Sequence, residues 1–154
     1  MIDIVGSWFF LGCIVLFSLM IADYKSHNKN PEKGGEIDDR RNFFMMGSAL
    51  MLGKIMNENV WVIVIIILLS ILLSRLFSKV FMLGDGDVSA LQWILAGIGF
   101  INFSLLFCFV VWFVFVGLLF FFLKLYVFKH RGHYPFFGVL FIVFVGFGLL
   151  FGLF

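Results

Sequence analysis

The chain of 154 residues has few charged side chains, two prolines and two cysteines. Charged residues make up 13% of it, whereas soluble domains average about 25%. Cys13 and Cys108 lie in separate apolar runs without a CxxC pair, which argues against a zinc site. Instead of charge, the sequence has 63% hydrophobic residues, including 24 Phe. A soluble fold of this size could not bury so much apolar surface, so the composition predicts an integral membrane protein.

Apolar runs divide the chain into predicted membrane spans, each of which needs roughly 17–25 residues. The run 88–123 would form about 54 Å of helix, which is too long for one crossing, so it must turn. Gly97, Gly99 and Asn102 are the predicted corner. The pattern therefore predicts an all-α integral membrane bundle of about six transmembrane helices, in a single domain covering 1–154. The predicted spans are 4–22, 42–56, 60–77, 88–101, 103–123 and 136–154.

The basic residues predict the orientation of these spans. With six spans, the first, third and fifth loops lie on one side of the membrane, and they contain ten of the 11 Lys and Arg residues. Only Lys54 falls near the other side. Because cytoplasmic loops are enriched in Lys and Arg, we expect a multi-pass protein of the cell membrane with its N-terminus outside. The odd-numbered loops, including the polar loop 23–41, would be cytoplasmic.

Three acids lie where predicted spans meet loops. Asp23 ends the first span, and Asp85 and Asp87 directly precede the fourth. The predicted topology puts all three at the cytoplasmic face. Acids at a membrane boundary are costly, and this favours a functional role. The alternative is structural: Asp23 would begin a loop, while Asp85 and Asp87 would cap a helix N-terminus.

The tetrad Gly84-Asp85-Gly86-Asp87 fits the GxGD pattern of intramembrane aspartyl proteases. Glycine permits close backbone approach and otherwise strained angles, so Gly84 and Gly86 are expected to shape the motif. Aspartyl protease chemistry needs two carboxylates that share a proton, one activating a water and the other bonding the scissile carbonyl. Asp87 is the first candidate for the pair, and Asp23 is the second.

Three further acids are reserve candidates for the catalytic pair. Asp85 belongs to the tetrad itself. Asp38 and Asp39 lie just before the second predicted span and could reach the same face of the bundle. The choice of Asp23 or Asp39 as the second catalytic acid therefore stays open.

Three stretches of the chain resemble the type IV prepilin peptidases, especially the short archaeal preflagellin peptidases. GDGDVSAL at 84–91 is similar to the family's GxGD segment. ADYK at 22–25 resembles the region of its first acid, and PFFG at 135–138 resembles an element that opens its last span. The chain departs from the family in its long link to Asn42, which lacks a preceding Pro, and in having Ser89 where a Lys is usual.

The resemblance implies a six-span endopeptidase that cleaves class III signal peptides from prepilin or archaellin precursors at the cytoplasmic face. It implies Asp23 and Asp87 as the catalytic pair, with no metal and no cofactor. The chain lacks the cysteine-bearing domain of the larger bacterial enzymes, so no methyltransferase activity is expected. The expected partners are these precursors and membrane lipid, and no nucleic acid.

Two other functions fit the same residues. In a non-enzymatic membrane scaffold, Asp85 and Asp87 would only cap a helix. In a cation-binding transporter subunit, Asp23 and Asp87 would hold the ion. An assay for removal of the leader from a co-expressed prepilin separates these two functions from the protease.

Overall fold

The computed structural model describes residues 2–29, 40–57, 59–81, 83–126 and 136–153. In this part of the chain it is an all-helical bundle, which confirms the predicted fold class. Three of the helices are long and apolar enough to cross a membrane, and the last is a shorter apolar helix. The helices are α1 (Ile2–Lys29), α2 (Arg40–Met56), α3 (Val60–Phe81), α4 (Asp85–Ile101), α5 (Phe103–Tyr126) and α6 (Phe136–Leu150).

Consecutive helices run antiparallel. We call the end where α1, α3 and α5 finish, and where α2, α4 and α6 begin, the aspartate end. Lys54 lies at the opposite end, in the last turn of α2. The other basic residues of the described helices lie toward the aspartate end: Lys25, Lys29, Arg40, Arg41, Arg75, Lys79 and Lys124. The charge separation expected from the spacing of the spans is therefore present along the bundle.

The α4 helix lies at the centre of the bundle and packs against α2, α3 and α5. Every residue from 93 to 100 is buried. Gly97 and Gly99 lie inside this helix, so the expectation that they form the corner is wrong. A Cβ at Gly97 would lie 2.1 Å from the Trp8 ring, and one at Gly99 would lie 2.9 Å from Ile66. Their small size is used for close helix packing rather than for a turn.

The turn between α4 and α5 falls on Asn102 alone. Its backbone N–H donates to the carbonyl of Ile98 at 3.1 Å, which closes α4. Its side-chain Oδ1 accepts the N–H of Ser104 at 2.8 Å, which caps the start of α5. One asparagine therefore satisfies backbone groups of both helices, and no longer loop is needed.

Aromatic side chains join α1 to α4 and α6. The rings of Trp8 and Trp93 meet edge to face at 5.9 Å, and those of Phe9 and Phe144 stack at 4.7 Å. Gly12 leaves room for the Phe144 ring, since a Cβ at position 12 would lie 2.9 Å from it. The packing fixes α1 against the central helix and so sets where the far end of α1 lies.

Helix ends differ from the predicted span ends. The α1 helix continues past residue 22 to Lys29, and α3 continues past residue 77 to Phe81. Hydropathy marks the part of a helix that lipid surrounds, whereas backbone hydrogen bonds carry the helix on into water. The sixth span is shorter than expected, because Gly152 at φ 60 and the bond from Leu153 N–H to the Gly148 carbonyl, 2.9 Å, end α6.

Candidate functional site

Asp23 lies on the buried face of α1. Leu16 and Leu19, seven and four residues earlier, are both fully buried, and this spacing keeps side chains on one face of a helix. Asp23 continues their stripe and is partly buried. It lies within α1, so the alternative that it begins a loop is wrong. The helix directs this carboxylate toward the interior of the bundle at the aspartate end.

Asp87 lies in the first turn of α4 and is also partly buried. Its Oδ2 accepts the backbone N–H of Gly84, the residue before the helix, at 3.2 Å. This is the bond that an acid at the third helical position makes in a capping box. It orients the carboxylate through one oxygen. Asp85, two residues earlier, is exposed.

The glycines of the tetrad adopt ordinary backbone angles. Gly84 has φ −73 and ψ 164, an extended conformation open to any residue. Among the described glycines only Gly152 has a positive φ, so strained angles at Gly84 or Gly86 are not found. The Gly86 carbonyl lies 3.2 Å from an amide nitrogen of α2.

That nitrogen belongs to Asn42, which is only 3% exposed. Its Nδ2 donates to the Gly86 carbonyl, and its Oδ1 accepts the Trp93 Nε1–H at 3.2 Å. The amide therefore ties α2 to two successive parts of α4. Sequence reasoning treated Asn42 only as the start of a span. The available signal was its spacing from the buried residues Met45 and Ala49, which puts a polar side chain on the apolar face of α2.

The neighbouring residue ties α2 to α1. Arg41 Nη1 donates to Ser18 Oγ at 3.1 Å, and Ser18 lies five residues before Asp23 on α1. Adjacent residues at the start of α2 thus hold the helix that carries Asp23 and the helix that carries Asp87. The first turn of α2 positions the two acids at one end of the bundle.

The two carboxylates act on one another electrostatically. Asp87 precedes the predicted fourth span, and burial raises its pKa from 3.8 to about 7. The bond from Gly84 N–H opposes this rise, and the negative charge of Asp23 adds to it. Like-charged carboxylates in one site disfavour ionising together and titrate as a pair. Asp23 and Asp87 therefore lie at the same end of the bundle, and the charge of Asp23 acts on Asp87.

The reserve acids have different positions. Asp85 is exposed in the same tetrad, and Asp38 and Asp39 lie outside the described residues. Within the described ranges, His, Cys, Asp and Glu side chains form no group of three that could hold a metal ion. Asp23 and Asp87 are thus the two partly buried acids at the aspartate end of the described helices.

The chain matches no protein-family model, no curated protein and no solved structure. The assignment of chemistry to the site therefore rests on the residues themselves.

Proposed function

We propose that this chain is a membrane aspartyl endopeptidase that cleaves class III signal peptides of prepilin- or archaellin-like proteins. The proposal is supported above all by the two acids at one end of the bundle. Both lie on core-facing parts of their helices, and the charge of Asp23 contributes to the raised pKa of Asp87. A passive anchor has no use for two partly buried carboxylates at one membrane boundary, where acids are costly.

In the proposed reaction, Asp23 and Asp87 share one proton. Burial favours the protonated form of Asp87, which donates a hydrogen bond to the scissile carbonyl oxygen. Ionised Asp23 takes a proton from a water, whose oxygen attacks the carbonyl carbon. The C–N bond then breaks as the leaving amine takes up a proton from the pair. The pair is left with one shared proton, as it began.

The position of the pair suits a substrate that is cut just before its hydrophobic segment. Asp23 lies directly after the predicted first span, and Asp87 lies directly before the fourth. A substrate helix embedded beside them would present its first polar peptide bonds at the same depth. The basic residues gathered at this end support a cytoplasmic position for the pair.

The scaffold alternative is favoured by one observation, the cap bond between Gly84 N–H and Asp87. A cap accounts for an acid at this position without any catalysis. It does not account for Asp23, which caps no helix start and lies on the buried stripe of α1. The two roles of Asp87 are compatible, since capping uses one carboxylate oxygen.

Leader removal from a co-expressed prepilin tests the proposal. We expect Asp23→Asn and Asp87→Asn each to lower the cleavage rate by about 10²-fold or more, the usual loss for an acid–base group. Asparagine at 87 still offers an oxygen to Gly84 N–H, so the helix cap is retained. Asp85→Asn is the matched control, because it neutralises an exposed acid of the same tetrad, and its cleavage is expected to be unchanged.

The remaining outcomes distinguish the alternatives. Cleavage that survives Asp23→Asn but is lost in Asp39→Asn would transfer the second role to Asp39. Cleavage that survives Asp87→Asn would contradict the protease proposal. A folded wild-type protein that cleaves no prepilin but conducts ions in an Asp87-dependent way would favour the transporter.

A further inference from the structure

A lateral groove of about 450 Å³ lies between α1, α5 and α6 at the aspartate end. Its wall is apolar: Met20 and Ile21 from α1, Phe120 from α5, and Val139 and Ile142 from α6. Gly138 leaves part of the space open, since a Cβ there would lie 3.7 Å from the Met20 sulfur. Ile142 is 53% exposed, so the groove opens on the surface that lipid surrounds.

The groove is separate from the acid pair. The four residues that α1 gives to it are Met20, Ile21, Tyr24 and Lys25. At about 100° per residue, their mean direction lies about 130° around α1 from Asp23. Asp23 faces the interior near α4, whereas the groove is closed on its inner side by α5 and α6. One helix therefore serves two sites on different faces.

Among the residues that the structure describes, polar side chains line the groove at one rim. Tyr24, which is 62% exposed, and Lys25, which is exposed, come from the turn of α1 nearest the aspartate end. A hydroxyl and an ammonium above an apolar trough suit an amphiphile whose charged head is negative. Lys binds phosphate as a point charge, and a tyrosine hydroxyl can donate to a phosphate oxygen.

We propose that the groove binds one anionic phospholipid, with an acyl chain in the apolar trough and the phosphate at Lys25 and Tyr24. The site would lie in the leaflet that faces the aspartate end. Lipid binding at this groove would not depend on peptide cleavage.

A substrate helix fits the groove less well. A phospholipid has an acidic headgroup joined to flexible acyl chains, which matches a lysine at the rim of an apolar groove. The hydrophobic segment of a substrate offers no anion to Lys25, whereas a lipid headgroup does.

Lipid retention tests the site with the full chain. The protein is reconstituted in vesicles of equal parts phosphatidylcholine and phosphatidylglycerol, extracted into mild detergent, and its bound lipids are counted by native mass spectrometry. We expect wild type to retain phosphatidylglycerol over phosphatidylcholine. Lys25→Gln is expected to reduce this preference about fivefold, the contribution of one Lys near an anionic surface. Gly138→Leu, which fills the trough, is expected to abolish retention of the lipid.

Two control variants match these changes. Lys79→Gln removes an exposed lysine at the same end of the bundle but outside the groove. Gly47→Leu adds the same side chain as Gly138→Leu at a position where a Cβ would meet nothing within 4 Å. Both are expected to retain phosphatidylglycerol as wild type does. Equal retention in wild type and Gly138→Leu would overturn the proposal. Unchanged retention combined with lost prepilin cleavage in Gly138→Leu would do so too, and would assign the groove to the substrate.

A measurement on the wild-type chain keeps the test independent of folding in the variants. Phosphatidylglycerol with a photoreactive acyl chain is added to the same vesicles, and the labelled residues are mapped. Labelling concentrated on the groove residues of α1, α5 and α6 is expected. Labelling spread evenly over exposed residues of α2 and α3 would overturn the site.

Discussion

At the scale of single residues, the site depends on a buried amide as well as on acids. Ser70, Ser74 and Asn42 are the buried polar residues of the described chain. The two serines donate to carbonyls three residues earlier in α3. Of the three, Asn42 is the residue whose side chain bonds to another helix, α4. Its amide is satisfied at both ends, so its removal would leave the Gly86 carbonyl and the Trp93 N–H without this partner.

Asn42→Ala is expected to destabilise the bundle by about 1–3 kcal/mol, the cost of leaving buried polar groups unpaired. Thermal unfolding in detergent measures this. The matched control is Ser70→Ala, which removes a buried hydroxyl with a bond inside its own helix. An equal loss in both variants would contradict a bridging role for Asn42.

The raised pKa of Asp87 makes stability depend on pH. Its pKa is 3.8 ordinarily and about 7 in the fold, so folding favours the protonated carboxyl. The stability that this group contributes is complete below its unfolded pKa, and it is lost as pH rises through about 7.

Wild type is therefore expected to unfold at progressively lower temperature between about pH 4 and pH 8, relative to Asp87→Asn. The asparagine cannot titrate, so the variant lacks this contribution. Asp85→Asn serves as the comparison, and its profile is expected to follow wild type. Parallel profiles for wild type and Asp87→Asn would show that the fold does not raise this pKa.

At the scale of helices, the packing of α4 depends on positions where it has no side chain. Gly97 packs against Trp8, which is 89 residues away in the sequence. The Trp8 ring occupies the space that a Cβ at position 97 would need. The corner beyond it needs one asparagine rather than a glycine-rich loop. Small residues in α4 therefore let α1 approach the central helix, and this approach sets the position of Asp23.

Gly97→Ala is expected to lower the free energy of unfolding by about 1–3 kcal/mol, because the added methyl group displaces the Trp8 ring. Gly47→Ala is the control in α2, where the new methyl meets open space. There the change is expected to be neutral or to stabilise by up to about 1 kcal/mol, since alanine favours helix. Denaturation in detergent compares the two, and similar stability would contradict the close packing at Gly97.

The sequence predicted the helices better than their ends and contacts. Hydropathy located six apolar runs, and the boundary positions of Asp23 and Asp87 identified the two acids. The predicted corner included Gly97 and Gly99, because glycine is common both in turns and where helices pack closely. At Gly97 the position of the Trp8 ring shows which of these two roles applies. The bridge from Asn42 to Gly86 spans 44 residues and depends on how two helices meet, which no local pattern records.

At the scale of the whole molecule, charge is distributed along one axis. The described basic residues lie toward the aspartate end except Lys54, and the two proposed catalytic acids lie among them. The aspartate end is expected to face the cytoplasm, since positive loops are retained there.

Cysteine labelling on intact cells checks this orientation. Cys13 and Cys108 are first replaced by alanine, and Ile55→Cys or Val80→Cys is then introduced at an exposed position near either end of the bundle. A membrane-impermeant maleimide is expected to label the cysteine at 55 and to spare the cysteine at 80 until the cells are opened. The reverse pattern would place the acid pair outside.

The one-residue corner at Asn102 also bears on biogenesis. In the expected six-span topology a single residue joins α4 to α5, so we expect the two helices to enter the bilayer together as a hairpin, with the corner leading. In the expected orientation, Asp85, Asp87 and Lys124 then stay on the side where the chain is synthesised. In the folded bundle the side-chain oxygen of this asparagine accepts the Ser104 N–H. The carboxylate proposed for catalysis thus reaches its working position without passing through the hydrocarbon core.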